Sequence, residues 1–251
     1  MKVLFIKRKV VCFGILMLII ASLLMVKFDG TSLAQVYFND GFKLYPIYRV
    51  DTDEKNVAIT FDAAWGADKT EQILEVLDEF DVKATFFLVG MWVEKYEDQT
   101  KKIFDAGHEI GSHSNTHPDM TKLSASQMDQ ELKYTNEIIQ KVTGTTPALF
   151  RPPYGAYNNA LIERLDNLKM KGIQWDVDTL DWKGYNPSQV ISRVNQNVQN
   201  GSIILCHNNA DHVVENTRLI LTTLINKGYN FVTVGELTKG VKEVKIGVGI
   251  L

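Results

Sequence analysis

The sequence predicts an α/β fold, a single barrel-type domain of about seven strands, on three observations. From Asn56 onward, short apolar runs alternate with amphipathic segments, strand then helix, about seven times over. The residues equipped for chemistry stand at the carboxyl ends of those runs, where barrel enzymes build their sites, and this favours a barrel over an open sheet. Gly107, Gly172 and Gly228 each follow a helical pattern and precede an apolar run, as a left-handed helix end would.

Taken in order, the expected strands are residues 57–61, 84–89, 109–111, 148–150, 173–177, 203–206 and 231–234. Helical patterns fall between them. Within 69–80, Ile73, Leu74, Val76, Leu77 and Phe80 share one side of a helix. Ser124 predicts an N-cap for a helix over 125–142, with Gln127 completing a capping box. Asn186 followed by Pro187 is a cap with proline at the first helical position. Residues 216–227 carry Leu219, Ile220 and Leu224 ahead of Gly228. Residues 28–55 read as a polar-aromatic connector with room for one leading strand, 56–238 as the domain, and 239–251 as a tail without assignment.

A chain of 251 residues, 45% hydrophobic, builds one full-sized core. Its net charge of −3 gives no argument for a nucleic-acid partner. Of the two cysteines, Cys12 lies in the N-terminal apolar run, so Cys206 is the lone thiol of the domain and a disulfide framework is excluded. Lys2, Lys7, Arg8 and Lys9 precede an uncharged stretch, 10–26, that Lys27 closes. This stretch is at the short limit for spanning a bilayer, and its positive flank orients the rest of the chain outside the cytoplasm. Residues 1–27 are therefore expected to be a transmembrane anchor. The alternative is a signal peptide cleaved near Ala34, after the small-x-small triplet Ser32-Leu33-Ala34.

Three boxes carry the chemistry. Asp62 ends the apolar strand 57–61 and, if set in a cleft, can act as general base towards water. His113 and His117, four apart after the strand at 109–111, are candidate imidazole metal ligands in a loop that Pro118 closes, or else two surface histidines. A catalytic zinc site ordinarily adds a third protein ligand. His108, at a helix end, reads as a cap partner rather than a ligand. Arg151, followed by Pro152-Pro153-Tyr154-Gly155, keeps its charge and holds a nearby carboxylate ionised, and Asp181 is a plausible partner for it. Trp182 is either an apolar wall for a sugar or acyl group or part of the core. Strand alternation places Leu205 and His207 on one face and Cys206 on the other, which makes His207 a general acid at the same mouth and Cys206 a small buried apolar residue.

With those boxes in order, residues from about Asn56 to Leu237 resemble the NodB homology domain of polysaccharide deacetylases, the fourth family of carbohydrate esterases. The form Thr60-Phe61-Asp62-Ala63-Ala64-Trp65-Gly66 looks closest to the sporulation-associated peptidoglycan deacetylases of spore-forming bacteria. The resemblance implies a distorted (β/α) barrel with fewer than eight full units. It implies a divalent metal, usually zinc, on His113 and His117. Asp62 would be the base and His207 the acid, with Arg151 and Asp181 together positioning the base. The Tyr154 backbone amide would hold the oxyanion, and Trp182 and Leu205 would enclose the acetyl methyl.

One position departs from the family pattern. Its first box usually carries two adjacent aspartates, the second a metal ligand, and here that position is Ala63. Water could fill the vacancy, Asp62 could be drawn onto the metal, or Asp68 could swing in from the following loop. The expected reaction is hydrolysis of N-acetyl groups on amino sugars of peptidoglycan, outside the membrane. The alternatives are a deacetylase of chitin-like oligosaccharides and, because of Ala63, a non-catalytic glycan-binding homologue.

Overall fold

The computed structural model describes residues 43–240 and 242–244. The expected anchor at 1–27 lies outside the described residues, and among the described ones no helix is long and apolar enough to cross a membrane. The compact unit begins at Leu44. Its strands are β1 (Arg49–Asp51), β2 (Asn56–Ala63), β3 (Thr85–Leu88), β4 (Glu109–Ser112), β5 (Leu149–Phe150), β6 (Lys171–Gly172), β7 (Val177–Asp178), β8 (Ile203–His207), β9 (Asn230–Phe231) and β10 (Lys242–Val244). Its helices are α1 (Thr70–Glu79), α2 (Gly90–Lys95), α3 (Glu97–Asp105), α4 (Ala125–Thr143), α5 (Asn159–Asn167), α6 (Pro187–Asn197), α7 (Val213–Asn226) and α8 (Val234–Leu237).

Seven strands form one parallel sheet in the order β6-β5-β4-β3-β2-β8-β7, and β9 pairs with the start of β2. The chain leaves β6 at one edge and enters β7 at the other after residues 173–176. An extended chain spans at most about 3.5 Å per residue, so two edges joined by four residues must face each other. The sheet is therefore curled into a parallel half-barrel. Its seam is stitched by the leading segment rather than by a β6–β7 ladder. Ile47 donates to Gly172 O (2.8 Å) and accepts from Gln174 N (2.7 Å), while Val50 N donates to Gly201 O (2.9 Å). Gly201 sits at φ +78°, and a Cβ there would lie 1.9 Å from Val50 O, so the seam requires glycine.

Strand alternation sorts β2 into two layers. Val57, Ile59, Phe61 and Ala63 join the core beneath the helices, with Ile73, Leu77, Trp92, Ile220 and Leu224. Ala58 faces the barrel interior with Phe87, Leu149 and Ile203. Thr60 and Asp62 continue that inner row upward to the mouth. The predicted caps form: Ser124 and Asn186 each exchange both capping-box bonds with the residue three places on.

Three expectations shift. The strand expected over 173–177 divides, because Ile173 bridges Ile47 while Val177 and Asp178 pair with β8, so the segment serves both sheet edges. The strand expected over 231–234 stops at Phe231, since Thr233 caps α8 with Glu236 as its capping-box partner. Gly107 and Gly228 take the left-handed positions expected of them, whereas after α5 that role falls to Lys169 (φ 56°) and Gly172 lies in β6. In the stretch read as a connector, Ile47 and Val50 are buried and β1 pairs antiparallel with β10.

Candidate active site

Arg151 follows β5 and is 0% exposed. Its guanidinium lies 4.1 Å above the Phe87 ring, donates from Nη1 to Asp62 Oδ1 (2.8 Å) and Thr60 Oγ1 (2.8 Å), and donates from Nη2 to Gln174 O (3.2 Å). Phe87 keeps its place because position 111 is glycine, where a Cβ would lie 2.6 Å from that ring. Burial drives the Asp62 carboxyl upward. The Arg151 charge, the neighbouring His113 and His207, and the Arg151 hydrogen bond outweigh it, so Asp62 titrates below the usual carboxylate range. The carboxylate is held ionised.

Asp181 does not join this pair. It accepts from His207 N (2.9 Å, Oδ2) and meets His207 Nδ1 at 2.8 Å through Oδ1. A carboxylate only accepts, so Nδ1 carries the hydrogen and Nε2 is turned towards the cleft. The expected Arg151–Asp181 pair is thus replaced by two separate pairs. The cause is strand order: β8 lies between β2 and β7, so a residue just after β7 lands beside the end of β8, while Arg151 reaches Asp62 across the barrel interior. Burial alone lowers the His207 pKa, but the hydrogen bond and charge of Asp181, with Asp62 and Asp178 nearby, raise it above its ordinary value.

His113 is buried. Its backbone N–H closes onto Leu88 O (2.9 Å), and its Nδ1 meets Arg151 O at 2.7 Å. A carbonyl fixes Nδ1 as the donor, leaving the Nε2 lone pair 3.5 Å from Asp62 Oδ2. Burial outweighs the Asp62 charge and holds His113 below the ordinary imidazole pKa. His117 sits at φ 60°, its ring 5.0 Å from that of His113, and burial brings its pKa down to about 4. The loop between them hangs from a residue that motif spacing cannot reveal. Glu131, in mid α4, accepts from Asn115 N (2.7 Å), Thr116 N (2.8 Å) and Thr116 Oγ1 (2.8 Å).

Asp62, His113, His117, His207 and Asp178 line a cleft of about 540 Å³. Its walls are Trp65, Tyr154, Trp175, Trp182 and Leu205, and Trp65, Tyr154 and Trp182 are largely exposed. Trp182 is therefore a wall and not core. Gly66 O fixes the Trp65 loop by accepting from Trp92 Nε1 (2.6 Å) and Asn208 Nδ2 (2.8 Å). Cys206 is buried on the helix side, and burial pushes its thiol well above the usual range, as a packing role requires. Two of the six left-handed non-glycine residues, His117 and Tyr154, line this cleft, and two more, Ser114 and Leu180, directly follow or precede the site residues His113 and Asp181. Strained backbone of this kind is held where a site is preorganised.

Among the described residues no group of three His, Cys, Asp or Glu side chains is placed to hold a metal ion. Ala63 is 1% exposed and packs in the helix-side core, and Asp68 is exposed beside Gly66 rather than on the cleft. The donor set falls one short of the three protein ligands of a catalytic zinc site. His108 is no ligand either: its backbone N–H caps the end of α3 at Ile103 O (3.3 Å), while its buried ring accepts from Ala84 N at 3.1 Å and is held near a pKa of about 4 by burial and Lys83.

A curled parallel sheet brings a carboxylate and a carboxylate-backed imidazole to one cleft, a pair suited to acid–base chemistry. Residues 49–173 match the family model described as polysaccharide deacetylase. The chain is 40% identical over 192 residues to the uncharacterised protein YlxY of Bacillus subtilis, covering 76% of this chain and 60% of that protein. It is 34% identical over 197 residues to a peptidoglycan-N-acetylglucosamine deacetylase of Bacillus cereus, covering 77% and 72%. Among solved structures, BA3943 of Bacillus anthracis, described as a CE4 family pseudoenzyme, superimposes with a TM-score of 0.75 at 36% identity, covering 79% of this chain and 70% of that one. A mutant of BA3943 described as having restored enzymatic activity matches with the same TM-score at 37% identity, covering 79% and 72%. The chain belongs to the polysaccharide deacetylase family, carbohydrate esterase family four.

Proposed function

We propose that this protein hydrolyses N-acetyl groups from amino sugars of cell-wall peptidoglycan, releasing acetate. The observation that carries the reading is the pairing of Asp62 with Arg151 and of His207 with Asp181 across one cleft. Asp62, ionised and held by Arg151, takes a proton from the attacking water. His207 delivers a proton to the departing nitrogen through Nε2. The turn after Arg151 spends its bonds from Gly155 N and Ala156 N, and Pro152 and Pro153 have no N–H, which leaves the Tyr154 amide as the donor for the oxyanion. Trp182 and Leu205 enclose the acetyl methyl. Because the donor set is incomplete, no step is assigned to a metal. The N-terminal apolar stretch would anchor the domain outside the cytoplasm, facing a polymer substrate, and the form of the Asp62 box favours a role in sporulation.

The second reading, a glycan-binding homologue without turnover, is favoured by Ala63 and by the likeness to BA3943. His207→Ala separates the two: acetate release falls by about a hundredfold or more, the usual range for a lost general acid, while fragment binding persists. Undiminished release would remove His207 from the reaction. The Asp181 contact also fixes the sign of a pH effect. A raised His207 pKa keeps the acid protonated to higher pH, so Asp181→Asn should move the alkaline limb of the rate profile to lower pH. An unmoved limb would detach Asp181 from the proton donor.

A further inference from the structure

Asp62 Oδ2 and His113 Nε2 face each other at 3.5 Å, too far for a charge-assisted N–H···O bond. Arg151 occupies Oδ1 and the Arg151 carbonyl occupies Nδ1, so each of these two facing atoms turns a lone pair on the other. His113 is 2% exposed, and the buried His117 Nδ1 beside it makes no hydrogen bond. Two acceptors in this relation need a shared donor or cation. A divalent metal would bring demands of ligand number that Ala63 leaves unmet. A primary ammonium brings three N–H donors, no acceptor and no fixed coordination number.

We propose that the gap between Asp62 Oδ2 and His113 Nε2 takes a primary ammonium: the free amine of an already deacetylated amino sugar in the glycan strand. The inference rests on the reading of the cleft as an amino-sugar site. The surrounding charge agrees with it. Asp62 and Asp178 line the cleft and Asp181 backs His207, against the two cationic groups Arg151 and His207. The Trp65 and Tyr154 rings lie with their centroids 4.9 and 4.7 Å from that of His117 and wall the same cleft. An acetamido nitrogen has one N–H and no charge, so it satisfies the two acceptors less well. The cleft would thus retain its product, and recognise strands that have lost acetyl groups.

The test is calorimetric titration of the metal-stripped full chain with the tetramer of glucosamine and, separately, the tetramer of N-acetylglucosamine. Both runs use one ionic strength and a pH at which the amines are protonated. The glucosamine tetramer is expected to bind at least about tenfold tighter, a gap of about 1.4 kcal/mol. Asp62→Asn should erase the gap. Equal or tighter binding of the acetylated tetramer overturns the proposal. So does a preference that survives Asp62→Asn, which would mark general attraction of a polycation to an acidic protein. Should that variant fail to fold, the imidazole ¹⁵N resonances of His113 in the wild-type chain decide: they shift with the glucosamine tetramer alone if the proposal holds. Acetate release is scored separately. Release without the binding preference sinks only this inference, and the preference without release sinks only the deacetylase reading.

Discussion

Arg151→Met is expected to destabilise the domain by about 3–5 kcal/mol, the usual result of leaving one member of a buried ion pair without its partner. Arg151 is wholly buried, and its removal strips Asp62, Thr60 and the Gln174 carbonyl of their donor in one step. The carboxylate then loses the charge that offsets its burial, and its pKa rises. Urea denaturation of the full chain measures the loss. The double variant Arg151→Met with Asp62→Asn should regain part of it, because the second change removes the stranded charge, and a cycle of the four proteins gives the coupling. A loss below about 1 kcal/mol, the low end for a single buried hydrogen bond, would show that the pair contributes little to the fold.

Ala63→Asp is expected to make the protein's stability depend on zinc. The carboxylate enters a position that is 1% exposed, so without metal the variant should be less stable than the wild type. Ala63 packs on the helix side but is the last residue of β2, so with zinc the introduced carboxylate would have to turn to the cleft to join His113 and His117 as the third ligand, and binding to the folded state alone stabilises by about 2.7 kcal/mol when zinc is at about a hundred times its dissociation constant. The melting temperature of the variant should rise steeply with zinc while that of the wild type moves little. An equal rise in the wild type would mean that a third ligand already exists outside the residues considered. No rise in the variant would mean that the position 63 side chain stays on the helix side of the sheet.

Much of the fold was legible because local rules and tertiary demands agree. The caps at Ser124 and Asn186 are written in two or three neighbouring residues, and β2 and β8 are long enough for alternation to show which side chains reach the mouth. The strand at 173–177 was misread because hydrophobic pattern cannot reveal that one segment closes two edges of a sheet. The site was legible to the extent that its residues sit at strand ends: Asp62, His113, Arg151 and His207 all reach the cleft or the pair that frames it. The pairing was not. Asp181 belongs to His207 because of strand order, and strand order is absent from the spacing of motifs. Glu131 was missed for a related reason: an acid in mid-helix reads as a solvated face until the fold sets a histidine loop on it.

The two paired groups, Asp62 with Arg151 and His207 with Asp181, are proposed to cleave an N-acetyl amide. The most direct measurement is acetate released from purified peptidoglycan fragments by the full chain, metal-stripped and with zinc restored, beside the Asp62→Asn variant. Acetate is expected from the wild type and none from the variant. No acetate from the wild type under either condition, with the fragments still bound, would contradict it and establish a glycan-binding protein in its place.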